Sequence, residues 1–130
     1  MKKKLIPQEE VLKEFGLVDV AKDEAQYRKD TPIFRGVLCY FPEALKEVAR
    51  TSLQGNRQHH PDAPLHWDKS KSSDHADALV RHLIDHINNP IDNDGVLHLS
   101  KVAWRALALL EQFLENENLW VDGKYIGSDK

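Results

Sequence analysis

The feature that most constrains the fold is a long run of helical periodicity from Val96 to Leu114. Apolar side chains recur there at intervals of three and four residues, which places them on one broad arc of an α-helix. Trp104 and Ala108 fall on the opposite side, which indicates a second packing surface, such as one between subunits. The pattern predicts that this helix is the centre of a helical domain. The predicted apolar arc consists of Leu99, Val102, Ala103, Ala106, Leu107, Leu109, Leu110, Phe113 and Leu114.

Two earlier segments also carry helical signals. The first is Pro42 to Gln54, where proline suits the first helical position and Gly55 is placed as the C-terminal cap. The second is Ser72 to Ile87, where three histidines border an aliphatic arc that would face the core. A border of titratable groups beside a core face is typical of sites built between packed helices. The arc is Leu79, Val80, Leu83, Ile84 and Ile87, and the histidines are His75, His82 and His86.

The remaining segments complete the predicted architecture. Residues 55–71 form a long loop, and such loops are often functional. We expect a short helix at Pro7–Phe15, a polar linker at 17–31 and an extended segment at Pro32–Phe41. Asp122-Gly123 lies between two short apolar runs, which predicts a hairpin.

The predicted fold is therefore all-α, a small bundle of three main helices with a long loop between the first two and a short C-terminal β-hairpin. Its parts are an N-terminal arm or short helix (1–31), a helical domain bearing the site (32–116) and a C-terminal hairpin or tail (117–130).

Composition limits the classes of partner. A net charge of -3 and a pI near 6.1 provide no polyanion-binding signature, so duplex nucleic acid is not an expected partner. No apolar run has the length of a signal-peptide core or a membrane span. A single cysteine, Cys39, is typical of a reducing compartment, so we expect the cytoplasm.

Three kinds of chemistry are open from the residues alone. A transition metal could use His82 and His86, spaced one turn apart, with His75 two turns away and His98 or His59 arriving from elsewhere. A Mg²⁺ site could use carboxylates, with Asp74, Asp77, Asp92, Asp94 and Glu47 as candidates. Nucleotide recognition could use basic side chains for phosphate and Trp67 for a base. The sequence has neither the GxxxxGK[ST] nor the GxGxxG pattern, so any phosphate site is of another kind.

From Pro32 to Glu111 the chain resembles the bacteriophage proteins described as dATP/dGTP diphosphohydrolase, N-terminal-domain-like. The resemblance depends on RGVLCYFPEALKEVA, the GN…H.P…LHW loop, KSSDHADALVRHL, the DNDGVLH turn and VAWRALALLE. It implies a small helical phage-type protein of the host bacterial cytoplasm that acts on, or binds, purine deoxynucleotides or related nucleotides. The implied activity is metal-dependent hydrolysis of a purine (deoxy)nucleoside triphosphate, with Mg²⁺ or Mn²⁺ as the expected cofactor. We also expect a homo-oligomer.

By matching position, the resemblance supplies candidate site residues. The candidate catalytic residues are Asp74, Asp77, His82 and His98. The candidate metal ligands are His75, His82 and Asp94. The candidate substrate-binding residues are Asn56, His59, His66, Trp67, Lys71, Arg81 and Arg105, with Trp67 on the base and Lys71, Arg81 and Arg105 on phosphates.

Two alternatives to the enzyme are open. A non-catalytic protein could sequester a host or immune-signalling nucleotide in the same pocket, using the cationic and aromatic groups without metal ligands. A purely structural oligomer would use the face around Trp104.

Overall fold

The computed structural model describes residues 24–115, 120–121 and 124–125. Four α-helices and one π-helical segment account for most of this part of the chain. Within these ranges, no helix combines the length and the apolar character needed to cross a membrane. The helices are α1 (Glu24–Lys29), a π-helix (Phe34–Leu38), α2 (Pro42–His59), α3 (His75–Asn88) and α4 (His98–Glu115), and the strands are β1 (Trp120–Val121) and β2 (Lys124–Tyr125).

The predicted fold needs correction at both ends of the helical domain. Residues 24–29, expected as linker, form α1, and Phe34–Leu38, expected as extended, is helical. The described part of the chain therefore has four α-helices: the three predicted main helices and the short α1, which lies within the predicted N-terminal arm. The fold is mainly helical, and the prediction of a C-terminal hairpin as one of its main elements is wrong. The described part of that segment consists only of β1 and β2, two paired strands of two residues each. Strands this short are marginal in water. The short helix expected at Pro7–Phe15 lies outside the described residues.

The first main helix is longer than expected. It continues through Gly55 to His59, so Gly55 is not its C-terminal cap. A single glycine weakens a helix without ending it, and the polar residues that follow are compatible with helix. The loop is consequently residues 60–74, and α3 begins at His75 after Asp74.

Helices α3 and α4 form an antiparallel pair. His82 lies beside His98 and His75 beside Arg105, so numbers rise along one helix as they fall along the other. The connection closes tightly, since the Asp92 amide donates to the Val96 carbonyl and the Gly95 amide to the Asp92 carbonyl, both at 2.9 Å. Gly95 has φ +84°, a left-handed conformation that favours glycine. This turn fixes two aspartates beside the helix pair.

The packing of α3 reverses the predicted orientation. The aliphatic arc expected in the core is largely exposed, and the buried positions are His75, Ala78 and His82. The predicted orientation of helix α4 is reversed as well, because Ala108, expected on an outer surface, is only 3% exposed. Trp104 faces inward with it, against Trp67 and His75. The two helices approach through small residues and histidines, which places polar chemistry between them.

Candidate functional site

A cavity of about 640 Å³ lies between α2, the 60–74 loop and the inward side of the helix pair. Its wall combines aromatic, basic, imidazole and carboxylate side chains, the groups expected of a site for a charged small molecule. The lining residues are Thr51, Ser52, Gln54, Gly55, Asn56, Gln58, His59, His60, His66, Trp67, Asp68, Lys71, Ser72, His82, Asp94, Val96, Lys101, Trp104 and Arg105.

One side of the cavity is aromatic. The indoles of Trp67 and Trp104 meet edge to face, with centroids 5.5 Å apart. The ring of His75 contacts both, at 6.4 Å from Trp67 and 5.9 Å from Trp104. Edge-to-face contacts of this kind fix ring orientation and add stability beyond the buried area. The cluster therefore provides a rigid apolar wall from two distant parts of the chain.

Arg105 adds a fixed positive charge beside this wall. Its Nη1 donates to His75 Nδ1 at 3.0 Å and lies 3.8 Å from Asp74 Oδ1. Burial lowers the pKa of His75, and the Arg105 charge lowers it further, so this imidazole is neutral near pH 7. Because Nδ1 accepts from arginine, the ring proton lies on Nε2. That buried nitrogen has no hydrogen-bond partner within the described part of the chain.

Hydrogen bonds hold the loop over the cavity. The buried amide of Asn56 donates from Nδ2 to the Ala63 carbonyl at 3.1 Å and accepts from the His66 backbone amide at 3.3 Å. Lys69 binds Glu115 at the end of α4 and lies 5.0 Å from the Trp67 ring centroid. These contacts hold the loop so that Trp67 and Lys71 line the cavity.

A cluster of two imidazoles and one carboxylate lies at the end of the helix pair. His82 Nδ1 and His98 Nδ1 are 2.9 Å apart, and each is 3.9 Å from Asp92 Oδ2. Burial, and then the Lys101 and Arg81 charges, lower the pKa of His82, which favours a neutral imidazole. Neutral imidazole and carboxylate are metal ligands, and the candidate ligand atoms lie within 4.8 Å of one another. His82 belongs both to this cluster and to the cavity wall.

Lys101 connects this cluster to the neighbouring turn. Its Nζ lies 2.7 Å from Asp92 Oδ2 and 2.7 Å from Asp94 Oδ2. The lysine hydrogen bond lowers the pKa of Asp92. Burial alone would raise the pKa of Asp94, but hydrogen bonds from Lys101 and Gln58 outweigh it and lower the pKa to about 2. Both carboxylates are therefore ionised throughout the physiological range.

The Asp94 interactions predict a pH-dependent contribution to stability. A folded pKa of about 2, against 3.8 for a free aspartate, means that the contribution is complete above pH 3.8 and is lost as the pH falls towards 2. We expect Asp94→Asn to lower the free energy of unfolding at pH 7 by about 1–2 kcal/mol, and by progressively less below pH 4. Urea unfolding from pH 7 to pH 2.5 measures this. Asp62→Asn, at an exposed loop aspartate, is the matched control, and an equal loss in both variants would contradict the assignment.

The structure brings together most of the residues singled out from the sequence. The lining set includes Asn56, His59, His66, Trp67, Lys71, His82, Asp94 and Arg105. His75 and His98 lie directly behind the wall, in contact with Arg105 and His82. Asp74, Asp77 and Arg81 are exposed and are not among the lining residues. The structure groups His82 with Asp92 and His98. The sequence also offers His98 as a partner of His82, but its candidate metal ligands are His75, His82 and Asp94.

Two residues of the site are not predicted from the sequence. The sequence gives no role to Lys101 and places Trp104 on an outer surface, whereas Asp92 is among its candidate carboxylate ligands. The alternation of Asp92 and Asp94 in a DNDG turn, with a lysine one helical turn into α4, is a signal that could have identified the ion-paired carboxylates.

One of three comparisons with known proteins finds a match. Residues 21–121, more than half of the chain, match the family described as "dATP/dGTP diphosphohydrolase, N-terminal". Neither a search of curated proteins nor a search of solved structures finds a match. The matched span contains all four α-helices, the loop and every residue that lines the cavity. The chain belongs to the dATP/dGTP diphosphohydrolase N-terminal domain family.

Proposed function

We propose that this chain binds a purine deoxynucleoside triphosphate in the cavity and hydrolyses it with a divalent metal ion. Family membership supports the substrate class. The observation that carries the proposal is the composition of one cavity, in which an aromatic wall, basic groups and His82 of the imidazole–carboxylate cluster all share the lining.

The aromatic wall is suited to the base. Trp67 and Trp104 belong to the lining and support each other edge to face, so one indole surface can receive a planar ring without reorganisation. Stacking does not by itself select a base, because every base has a π-face. Preference for purine would come from the size of the surface and from polar groups beside it.

The basic groups are suited to the phosphates. Arg105 and Lys71 both line the cavity, and the Arg105 guanidinium is held in place by His75. A guanidinium presents a fixed fork of donors to phosphate oxygens, whereas a lysine acts as a compact point charge. Arg105 would thus orient the triphosphate, and Lys71 would neutralise its outer end.

The donor set of the cluster fits a divalent metal. His82, Asp92 and His98 would hold it, offering two imidazole nitrogens and one carboxylate oxygen. Nitrogen donors favour ions such as Mn²⁺, Co²⁺ or Zn²⁺ over Mg²⁺, which prefers an all-oxygen shell. When bound, such an ion would polarise a phosphoryl oxygen and lower the pKa of a water molecule. The aromatic wall and the basic groups would position the substrate, so that hydrolysis breaks one of its phosphoanhydride bonds and adds the elements of water to the two products.

A second candidate function, capture of the nucleotide without hydrolysis, is favoured by one observation. Lys101 already neutralises Asp92 and Asp94, with 2.7 Å contacts to both. A cluster satisfied by an ammonium group does not need a metal for charge balance. In that case the cavity would serve as a binding site alone.

One experiment tests the proposal and separates the two candidates. The purified chain is incubated with dATP, dGTP, dCTP or dTTP in the presence of Mn²⁺, Zn²⁺, Mg²⁺ or EDTA. Chromatography then measures both the products and the intact nucleotide that heat denaturation releases. Purine-selective release of diphosphate that stops in EDTA supports the hydrolase. Recovery of intact nucleotide, with no product in the presence of any metal, supports capture. If neither products nor bound nucleotide are found, both candidate functions are contradicted.

Trp67 provides a test of the base subsite. Stacking of a base on an aromatic side chain is worth about 1–3 kcal/mol, so we expect Trp67→Ala to raise the Kd for dATP roughly 5- to 150-fold. Trp67→Phe should retain most of the affinity. Calorimetry in EDTA measures binding without turnover. Tyr40→Ala removes an exposed aromatic outside the lining set and should leave Kd unchanged, and equal effects of the two alanine variants would contradict the assignment.

A further inference from the structure

We infer that Lys101 competes with a metal ion for Asp92 in the imidazole–carboxylate cluster, and so sets the metal affinity of the site. The inference rests on the proposed function, because it takes the cluster to be a metal site. Lys101 Nζ lies 2.7 Å from Asp92 Oδ2. The same oxygen is 3.9 Å from both His82 Nδ1 and His98 Nδ1. The carboxylate oxygen beside the two imidazoles therefore already binds an ammonium group.

An ion and the Lys101 ammonium group would repel each other if both used this oxygen. A divalent ion such as Zn²⁺ binds a carboxylate oxygen at about 2.0–2.2 Å. Since Nζ is 2.7 Å from Asp92 Oδ2, the ion and the ammonium nitrogen would be at most about 5 Å apart. Repulsion at this distance is strong where solvent screening is weak, and only 19% of the Lys101 side chain is exposed. In its observed position Lys101 therefore weakens metal binding.

Local helix chemistry does not favour a lysine at this position. Lys101 lies near the start of α4, the end of a helix at which a positive charge is unfavourable. The two carboxylates of the preceding turn offset this effect, because Nζ is 2.7 Å from an oxygen of Asp92 and 2.7 Å from an oxygen of Asp94. Lys101 thus acts as a cation of the chain itself, which neutralises both carboxylates when no metal is bound.

Asp94 gives Lys101 a second partner that a metal ion does not need. Asp94 is outside the group of candidate ligands. Its carboxylate is fixed by hydrogen bonds from Gln58 Nε2 at 2.9 Å and from the Val96 backbone amide at 3.1 Å. Asp94 can consequently keep the ammonium group after Asp92 has bound an ion. The exchange needs only a small movement of one flexible side chain, because the contact with Asp94 is already formed.

Removal of the lysine charge should strengthen metal binding, whereas structural damage would weaken it. We expect Lys101→Met to lower the Kd for Mn²⁺ at least about 10-fold. Lys101→Arg keeps the charge and should not strengthen binding. Lys46→Met is the matched control, since Lys46 is an exposed lysine of α2 that pairs with Glu43. Equilibrium dialysis of each protein against Mn²⁺, without nucleotide, measures the Kd values.

Thermal unfolding decides the case in which Lys101→Met is unstable without metal. Loss of the lysine leaves two neighbouring carboxylates without their shared cation, so the thermal midpoint in EDTA should fall. Mn²⁺ should then raise the midpoint by more than it does in the unsubstituted chain, because tighter binding to the folded state stabilises it more. Lys101→Gln, which lacks the charge but can still donate a hydrogen bond, is the second variant for both measurements.

The possible results separate this inference from the proposed function. Tighter Mn²⁺ binding in Lys101→Met or Lys101→Gln, but not in Lys101→Arg or Lys46→Met, supports the inference. Equal or weaker binding in both uncharged variants would overturn it and leave the proposed metal site in place. Absence of Mn²⁺ binding in the unsubstituted chain and in every variant would overturn the inference and the metal site together.

Discussion

Replacement of His98 by alanine is expected to lower metal-dependent hydrolysis of dATP and dGTP by roughly 100- to 1,000-fold. His98 is 5% exposed, and its Nδ1 lies 2.9 Å from that of His82. Removing it leaves His82 and Asp92 as the remaining members of the cluster. Turnover should therefore fall through weaker metal binding, while nucleotide affinity in EDTA stays nearly constant. Equilibrium dialysis with Mn²⁺ and steady-state kinetics measure the two effects separately.

The matched control for this substitution is His86→Ala. His86 lies one turn from His82 on the same helix and is outside the cluster. Its removal should leave metal binding and turnover unchanged. Circular dichroism of both variants identifies any loss of folding. A folded His98→Ala protein that binds Mn²⁺ and hydrolyses dATP normally would show that the cluster is not the metal site.

Ala78→Leu is expected to cause the largest loss of stability among single substitutions on the inward faces. Ala78 is 0% exposed at the contact between α3 and α4, so the added carbons have no space without displacing the helix pair. Overpacking of this kind typically costs about 1–3 kcal/mol, and more where the backbone must move. The same displacement would separate His82 from His98. Urea unfolding at pH 7 measures the loss, and Mn²⁺ binding should weaken with it.

Ala49→Leu is the control for this prediction. Ala49 lies within α2 and is exposed, so the same substitution there adds no buried volume. Leucine and alanine are both good helix formers, and the change at Ala49 should alter stability by less than about 0.5 kcal/mol. If Ala78→Leu were equally harmless, α3 and α4 would not be in close contact at that position.

Local signals in the sequence placed the main helices correctly, because they depend on short-range chemistry. Proline at position 42 begins α2, and the Asn88-Asn89-Pro90 run ends α3. The Asp-Asn-Asp-Gly run was expected to form a turn, and Gly95 adopts the left-handed conformation that such a turn requires. Each of these features involves residues close together in the chain.

The composition of the cavity was also partly predictable. Trp67, His82 and Arg105 were grouped from the sequence, and all three line the cavity. Their grouping required only that the loop between α2 and α3 lie over the start of α4. The atomic contacts of the site were not predictable from the sequence. The 2.9 Å contact between His82 Nδ1 and His98 Nδ1 depends on how α3 and α4 are positioned relative to each other along their length.

The sequence by itself determined where the three main helices lie, which turn connects α3 to α4 and which residue types are available for nucleotide chemistry. Only the tertiary structure decided which face of each helix lies inside. Helical periodicity predicts that aliphatic side chains are covered, but it does not distinguish cover by the same chain from cover by another. In this protein the buried apolar positions of α3 and α4 are the small Ala78 and Ala108, and imidazole and carboxylate groups meet on the inward side of the helices. The hydrophobic effect is non-directional, so apolar periodicity does not determine which helix face is turned inward. A functional site, in contrast, requires particular atoms at fixed distances, and only the tertiary structure sets those distances.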